Sequence, residues 1–132
     1  MIQLKSILKV CDNSGALKVQ CLKVYNKSKK KAGVIGDILL VSIKQIKSRN
    51  KFKKIKKKEL HKAILLRTKK TTKRYDGSTV KFNTNTVLLL KKDMQKGVYY
   101  PIGTRIFGPI SHELRINKDK FFKIISLSSN NV

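Results

Sequence analysis

Two short apolar runs, Ala63-Ile64-Leu65-Leu66 and Val87-Leu88-Leu89-Leu90, constrain this chain more than any other feature. Each suits a strand buried on both faces, since neither alternates with polar residues. Between them the polarity reverses. Arg67, Lys69, Lys70, Lys73 and Arg74 place five positive charges in eight residues with no acid, interleaved with the strand-favouring Thr68, Thr71 and Thr72. Asp76-Gly77 predicts a two-residue hairpin turn with positive backbone angles, and residues 78–82 run back with alternating character. The stretch 59–91 therefore predicts a basic β-ribbon projecting from a hydrophobic sheet.

Charge then narrows the partner. The chain has 132 residues, with 32 Lys plus Arg against 7 Asp plus Glu, a formal net charge of +25. That length suits one domain, residues 1–132, able to bury a core without staples. The charge opposes compaction unless a polyanion neutralises it, so nucleic acid is the leading partner and an anionic membrane surface the rival. No apolar run approaches the roughly 20 residues of a membrane span, and Met1-Ile2-Gln3-Leu4 does not read as a signal or transit peptide. The reading is not an enzyme. Seven scattered acids and two isolated histidines, His61 and His112, form no carboxylate pair, triad or metal set. Asp12 and Ser14 lack a nearby histidine, and Asp12-Asn13-Ser14-Gly15 reads as a side-chain-capped turn. Cys11 and Cys21 lack a second pair for zinc and read as buried strand thiols, so neither a metal nor a cofactor is expected.

The remaining segments add strands and a second basic arm. Residues 2–11 predict one or two short strands. Leu17, Val19 and Cys21 form the inner face of the next, with Lys18, Gln20 and Lys23 outside. Gly33 and Gly36-Asp37 turn into a strand over 38–45, with Leu39, Val41 and Ile43 on one face and Leu40, Ser42 and Lys44 on the other. Residues 47–58 carry eight positive charges in twelve, interrupted by Phe52, which reads as folding back on the sheet. Residues 92–100 read as a polar connection, with Tyr99-Tyr100 as cover for the sheet. Beyond Pro101, Ile106, Phe107 and Ile110 are anchors. Ser111 is expected to cap a short helix through 112–115, and a second helix to begin near Asp119 with Phe121, Phe122, Ile124 and Ile125. Apolar residues left uncovered there would mark a protein-partner site.

Three motifs carry a resemblance. The alanine and three aliphatics of 63–66, Asp76-Gly77, Phe82 and Asn85 keep the spacing of a signature of the universal large-subunit ribosomal protein family fourteen, bacterial and organellar type. Asp12-Asn13-Ser14-Gly15-Ala16 and residues 101–110, PIGTRIFGPI, are also similar to that family. Departures are Leu17 for a basic residue, Asn26-Lys27 for a glycine pair and Leu88 for a valine. The resemblance implies a mainly β fold: a small five-stranded β-barrel within about 1–100, a projecting basic hairpin, and a C-terminal lobe of short α-helices over about 101–132. It implies a structural constituent of the large ribosomal subunit that binds large-subunit rRNA and contributes to an intersubunit bridge with small-subunit rRNA. Neighbouring ribosomal proteins of families nineteen and three, and a ribosome-silencing factor, are its implied protein partners.

Candidate rRNA contacts are Lys44, Arg49, Lys51, Lys53, Lys54, Arg67, Lys69, Lys70, Lys73, Arg74 and Arg105. Candidate protein contacts are Phe107, Arg115, Phe121 and Phe122. The alternative is a soluble basic β-barrel translation factor, for which interleaved strand aromatics rather than threonines would be expected. The basic residues are 27 Lys against 5 Arg, with 14 Ile and 8 Asn, as an AT-rich coding sequence produces. That bias suits a ribosome of the mitochondrial matrix and an organelle-encoded chain; a plastid-type organelle or a bacterial cytoplasm is the alternative.

Overall fold

A computed structural model describes residues 1–25, 32–48 and 55–132. Strands β1 (Ile7–Val10), β2 (Ala16–Val24), β3 (Ile38–Ile46), β4 (Leu60–Arg67) and β7 (Thr86–Lys92) form a sheet in the order β1-β2-β3-β4-β7. Its successive pairs are antiparallel. Parallel pairing of Lys9 with Thr86 and of Val10 with Val87 joins β1 back to β7 and closes a five-stranded barrel. Two minor strands, β5 (Thr72–Lys73) and β6 (Thr79–Val80), pair only with each other, apart from the barrel. A last strand, β8 (Tyr99–Pro101), takes the part of the β7 edge that β1 leaves open, pairing Leu90 with Pro101 and Lys92 with Tyr99.

The two apolar runs are buried on both faces, for a reason the topology supplies. Ala63, Leu65, Val87 and Leu89 point into the barrel with Leu8, Val19, Cys21, Leu39, Val41 and Ile43. Ile64, Leu66, Leu88 and Leu90 point outward and meet a second core made with Ile106, Ile110, Leu114, Phe121 and Ile124. The register Ala63 to Leu89 and Ile64 to Leu88 keeps the two sets on opposite faces, so β4 and β7 are the wall between the cores. Each such Leu or Ile contributes about 1.5 to 3 kcal/mol through burial.

Several expectations are corrected. Leu17 is 40% exposed rather than inward, because β2 shifts register against β3 on either side of Lys18. A further shift between Cys21 and Lys23 leaves both Leu22 and Lys23 outside and brings Val24 inward where alternation from Cys21 would have put Lys23. The 92–100 connection is a tight turn followed by β8, and Tyr99 does serve as cover, stacking on Phe121 with centroids 5.9 Å apart. In the C-terminal lobe the first helix is a 3-10 helix, His112–Asn117, and one α-helix, α1 (Lys118–Leu127), follows with a kink at Phe121. The Ser111 side chain caps neither; its hydroxyl donates to the Glu113 carboxylate.

Candidate nucleic-acid interface

The basic arm leaves the barrel where β4 ends, and its root is fixed by polar contacts. The Lys69 N–H donates to Asn85 Oδ1 at 2.8 Å, the Phe82 N–H donates to the Thr68 carbonyl at 3.1 Å, and the Thr68 hydroxyl donates to the Lys70 carbonyl. Asn85 and Phe82 thus hold the root of the segment on which the lysines stand. At the tip, the Arg74 N–H reaches the Ser78 carbonyl at 2.9 Å and the Gly77 N–H reaches the Arg74 carbonyl at 3.2 Å. Among the tip residues only Gly77 has positive φ, +83°. This is a three-residue loop, Tyr75-Asp76-Gly77, with glycine in the left-handed position, instead of the two-residue turn expected from Asp76-Gly77. Asp76 Oδ1 accepts from the Ser78 N–H and hydroxyl at 2.9 and 2.6 Å, which closes the loop from the side-chain layer.

The arginines and lysines of the arm behave differently. Arg67 donates from Nη2 to the Phe107 carbonyl at 2.8 Å. Arg74 donates from Nε to Glu113 Oε1 at 2.7 Å and from Nη2 to Glu113 Oε2 at 3.2 Å and the main-chain oxygen of Val132 at 2.6 Å. Both arginines thus make contacts within the protein that tie arm to lobe. Burial works to raise the Glu113 carboxyl, but the Arg74 contacts, together with a backbone hydrogen bond and the His112 charge, hold the group below the usual carboxylate range. Lys69, Lys70 and Lys73 face solvent.

Strand pairing joins this arm to the second one. Arg67 stands opposite Thr86, Thr86 beside Lys9, Lys9 opposite Lys18, and Lys18 opposite Gln45, which adjoins the exposed Lys44. A row of neighbours thus runs around the barrel from the 67–74 arm to the strand that leads into 47–58. Lys9, Lys18 and Lys69 line one shallow cleft with Ile7, Leu8, Thr84 and Asn85, and no acid is among its lining residues. Two like charges directly opposite on paired strands are unfavourable in the isolated protein and favourable around a phosphate. Sequence reasoning passed over Lys9 and treated Lys18 as an ordinary strand lysine. They lie far from Lys69 along the chain, and only barrel closure brings the three together.

The other candidates fall into three groups. Arg49, Lys51, Lys53 and Lys54, with Phe52, lie outside the described residues. Arg105 is exposed beside the loop in which Asn13 Oδ1 accepts the Thr104 and Arg105 N–H groups at 2.8 and 3.2 Å. Of the four candidate protein contacts, Phe121 is 2% exposed and packs in the second core, where it stacks on Tyr99 instead of facing a partner. Phe107 and Phe122 are exposed, Arg115 is half-buried, and Ile116, which the sequence reading did not select, is 81% exposed. Tyr75, also unselected, is fully exposed at the arm's tip.

Among the described residues no catalytic arrangement competes with this surface. Asp12 is held in a turn by the N–H and hydroxyl of Ser14, and burial raises its carboxyl above the usual range. Cys11 and Cys21 are buried free thiols, and burial pushes Cys11 up to about 12, so it is no nucleophile at neutral pH. Among the described residues no group of three or more His, Cys, Asp or Glu could hold a metal ion, and no helix is long and apolar enough to cross a membrane.

The described residues thus form a closed barrel with a polar-braced basic arm and a row of exposed lysines. The family model of Ribosomal protein L14p/L23e matches residues 1–132, and the chain belongs to that family. It is a structural, non-enzymatic component of the large ribosomal subunit.

Proposed function

We propose that this protein binds large-subunit rRNA through the row of Lys69, Lys9, Lys18 and Lys44 together with the two basic arms, and that it contributes to a bridge with small-subunit rRNA. The convergence of Lys9, Lys18 and Lys69 on one acid-free cleft carries the reading. Contacts of this kind go to phosphates, and each releases counterions. Lys70 and Lys73 extend the row along the arm; Arg105 and residues 49, 51, 53 and 54 join it on charge and family resemblance. Arg67 and Arg74 hold the arm in place and reach RNA only secondarily. Residues 1–132 are read as one folding unit, because the second core is shared by β4, β7 and the lobe. The test is salt dependence. If roughly half of the arm and row cations meet phosphates, affinity for large-subunit rRNA falls by about three decades or more between 50 and 200 mM salt. A nearly flat dependence would overturn the reading.

The exposed Phe107, Ile116 and Phe122, with Arg115, form the face for protein neighbours. On family resemblance these are ribosomal proteins of families nineteen and three and, transiently, a ribosome-silencing factor. Replacing Phe122 and Arg115 by alanine is expected to weaken neighbour incorporation or subunit joining while leaving binding to isolated rRNA intact. The lysine, isoleucine and asparagine bias suits a ribosome of the mitochondrial matrix, with plastid-type or bacterial ribosomes as the alternative.

A further inference from the structure

Tyr75 is the most exposed large hydrophobic residue described, at 112% relative accessibility, and it makes no hydrogen bond or ring contact with the described residues. Its backbone is nevertheless tightly specified. The preceding residue, Arg74, is clamped to Glu113 and Val132; the following one, Asp76, is closed onto Ser78; and the Arg74–Ser78 and Gly77–Arg74 hydrogen bonds complete the loop. The chain thus holds a flat, amphipathic ring out from a fixed platform while gaining nothing from its burial. Tyrosine can bury 150 to 250 Å² or so, and that gain is left for a partner to collect.

The surroundings of the ring select the partner. Exposed Lys69, Lys70 and Lys73 line the arm that carries it, while the acids bonded at its tip, Asp76 and Glu113, are engaged by Ser78 and Arg74. A ligand that places negative charge on the lysines and a flat apolar face on the ring is a nucleic acid. Bases inside a duplex already have both faces covered, so the face comes from an unpaired base in a loop or bulge. We infer that Tyr75 is a stacking platform for an unpaired RNA base, held at the tip of an arm whose lysines take the flanking phosphates. This rests on the RNA-binding reading above and adds to its phosphate contacts one that salt does not screen.

The chain has no tryptophan, so Tyr75→Trp installs a single indole at the tip. The full chain is titrated with purified large-subunit rRNA at several salt concentrations, as wild type and as Tyr75→Trp, Tyr75→Phe and Tyr75→Ala. Stacking predicts quenched indole emission on adding rRNA and near wild-type affinity for Tyr75→Phe. Tyr75→Ala is expected to lose roughly 5- to 150-fold in affinity, by the same factor at every salt concentration, because stacking releases no counterions. Lys73→Gln should instead lower the salt slope by about 1. Because Tyr75 contacts nothing described, Tyr75→Ala should melt with wild type. Equal affinity of Tyr75→Ala and wild type at every salt concentration, with unquenched indole, would overturn the inference while leaving phosphate binding standing. An indole that responds only when neighbouring ribosomal proteins are added to the rRNA would overturn it in favour of a protein pocket. Failure of wild type itself to bind rRNA would remove the RNA-binding reading and this one with it.

Discussion

The basic arm and the C-terminal lobe are both appended to the wall made by β4 and β7, yet they are held by opposite means. The lobe places Ile106, Ile110, Leu114, Phe121 and Ile124 against the outer face of that wall and shares a core with it. The arm buries almost nothing; along 69–81 only Val80 is buried, and its shape comes from Asn85, Asp76, Gly77 and the Arg74 clamp. Apolar packing makes the lobe cooperative with the barrel, whereas polar contacts fix the arm locally and leave its lysines in solvent. A segment that must meet phosphates cannot also fold its charges inward, so hydrogen bonds do for the arm what burial does for the lobe.

The largest test of that contrast lies in the shared core. Leu88 is fully buried on the lobe side of β7, and Leu88→Ala is expected to cost about 3 to 5 kcal/mol by leaving a cavity there. Denaturant unfolding followed by probes in barrel and lobe should show one coincident transition at lower denaturant. A lobe that detaches first, with the barrel unfolding later as in wild type, would break the claim that the two share a core.

A smaller test compares two glycines with the same backbone. Gly77 at the arm tip and Gly108 in the lobe both sit at φ +83°. A β-carbon at Gly77 meets nothing within 4 Å, so Gly77→Ala pays only for the left-handed backbone, about 1 to 2 kcal/mol. At Gly108 the same atom runs into the Arg67 guanidinium, which is held on the Phe107 carbonyl. Gly108→Ala should therefore cost about 1 to 2 kcal/mol more, the worth of a charged hydrogen bond partly open to solvent. Equal costs, measured by chemical denaturation, would show that Arg67 does not brace the lobe.

This contrast was only partly legible in the sequence. The wall was, because unbroken apolar runs at 63–66 and 87–90 have no other use than burial on two faces. The arm's existence followed from five cations and threonines between those runs. What could not be read was which cations turn inward. Arg67 and Arg74 look like Lys69 and Lys73 in a charge count, and only the arrival of Phe107, Glu113 and Val132 from the lobe distinguishes them. Leu17 was misplaced for a related reason, since a bulge set by the neighbouring strand overrides strict alternation. Tyr75 was invisible because one aromatic in a basic turn carries no signal until its burial is known.

The smallest effect on global stability, and the sharpest on the comparison, concerns Glu113. Its folded carboxyl lies below the usual range: burial opposes ionisation, and the Arg74 contacts lead the hydrogen bonds and charges that together offset it. A group depressed on folding contributes stability that is present above its unfolded pKa and is lost as pH falls through its folded one. Asp12, raised by burial where the chain pairs with Ile106, has the reverse sign. Its contribution is present below its unfolded pKa and lost as pH rises through the raised value. Acid should therefore release the arm while favouring the barrel's contact with the lobe at Asp12. Amide exchange at Arg74 and Gly77, compared with Phe107 and Ile110, measures both at once. Lowering pH through the carboxylate range, corrected for intrinsic exchange, should cut protection at the first pair and spare the second. Glu113→Gln should do the same at neutral pH with little change in melting temperature, since the shared core rather than the partly exposed Arg74–Glu113 pair carries most of the global stability. If protection at all four amides falls together, arm and lobe are one cooperative unit, and the arm's shape owes more to packing than to its polar clamp.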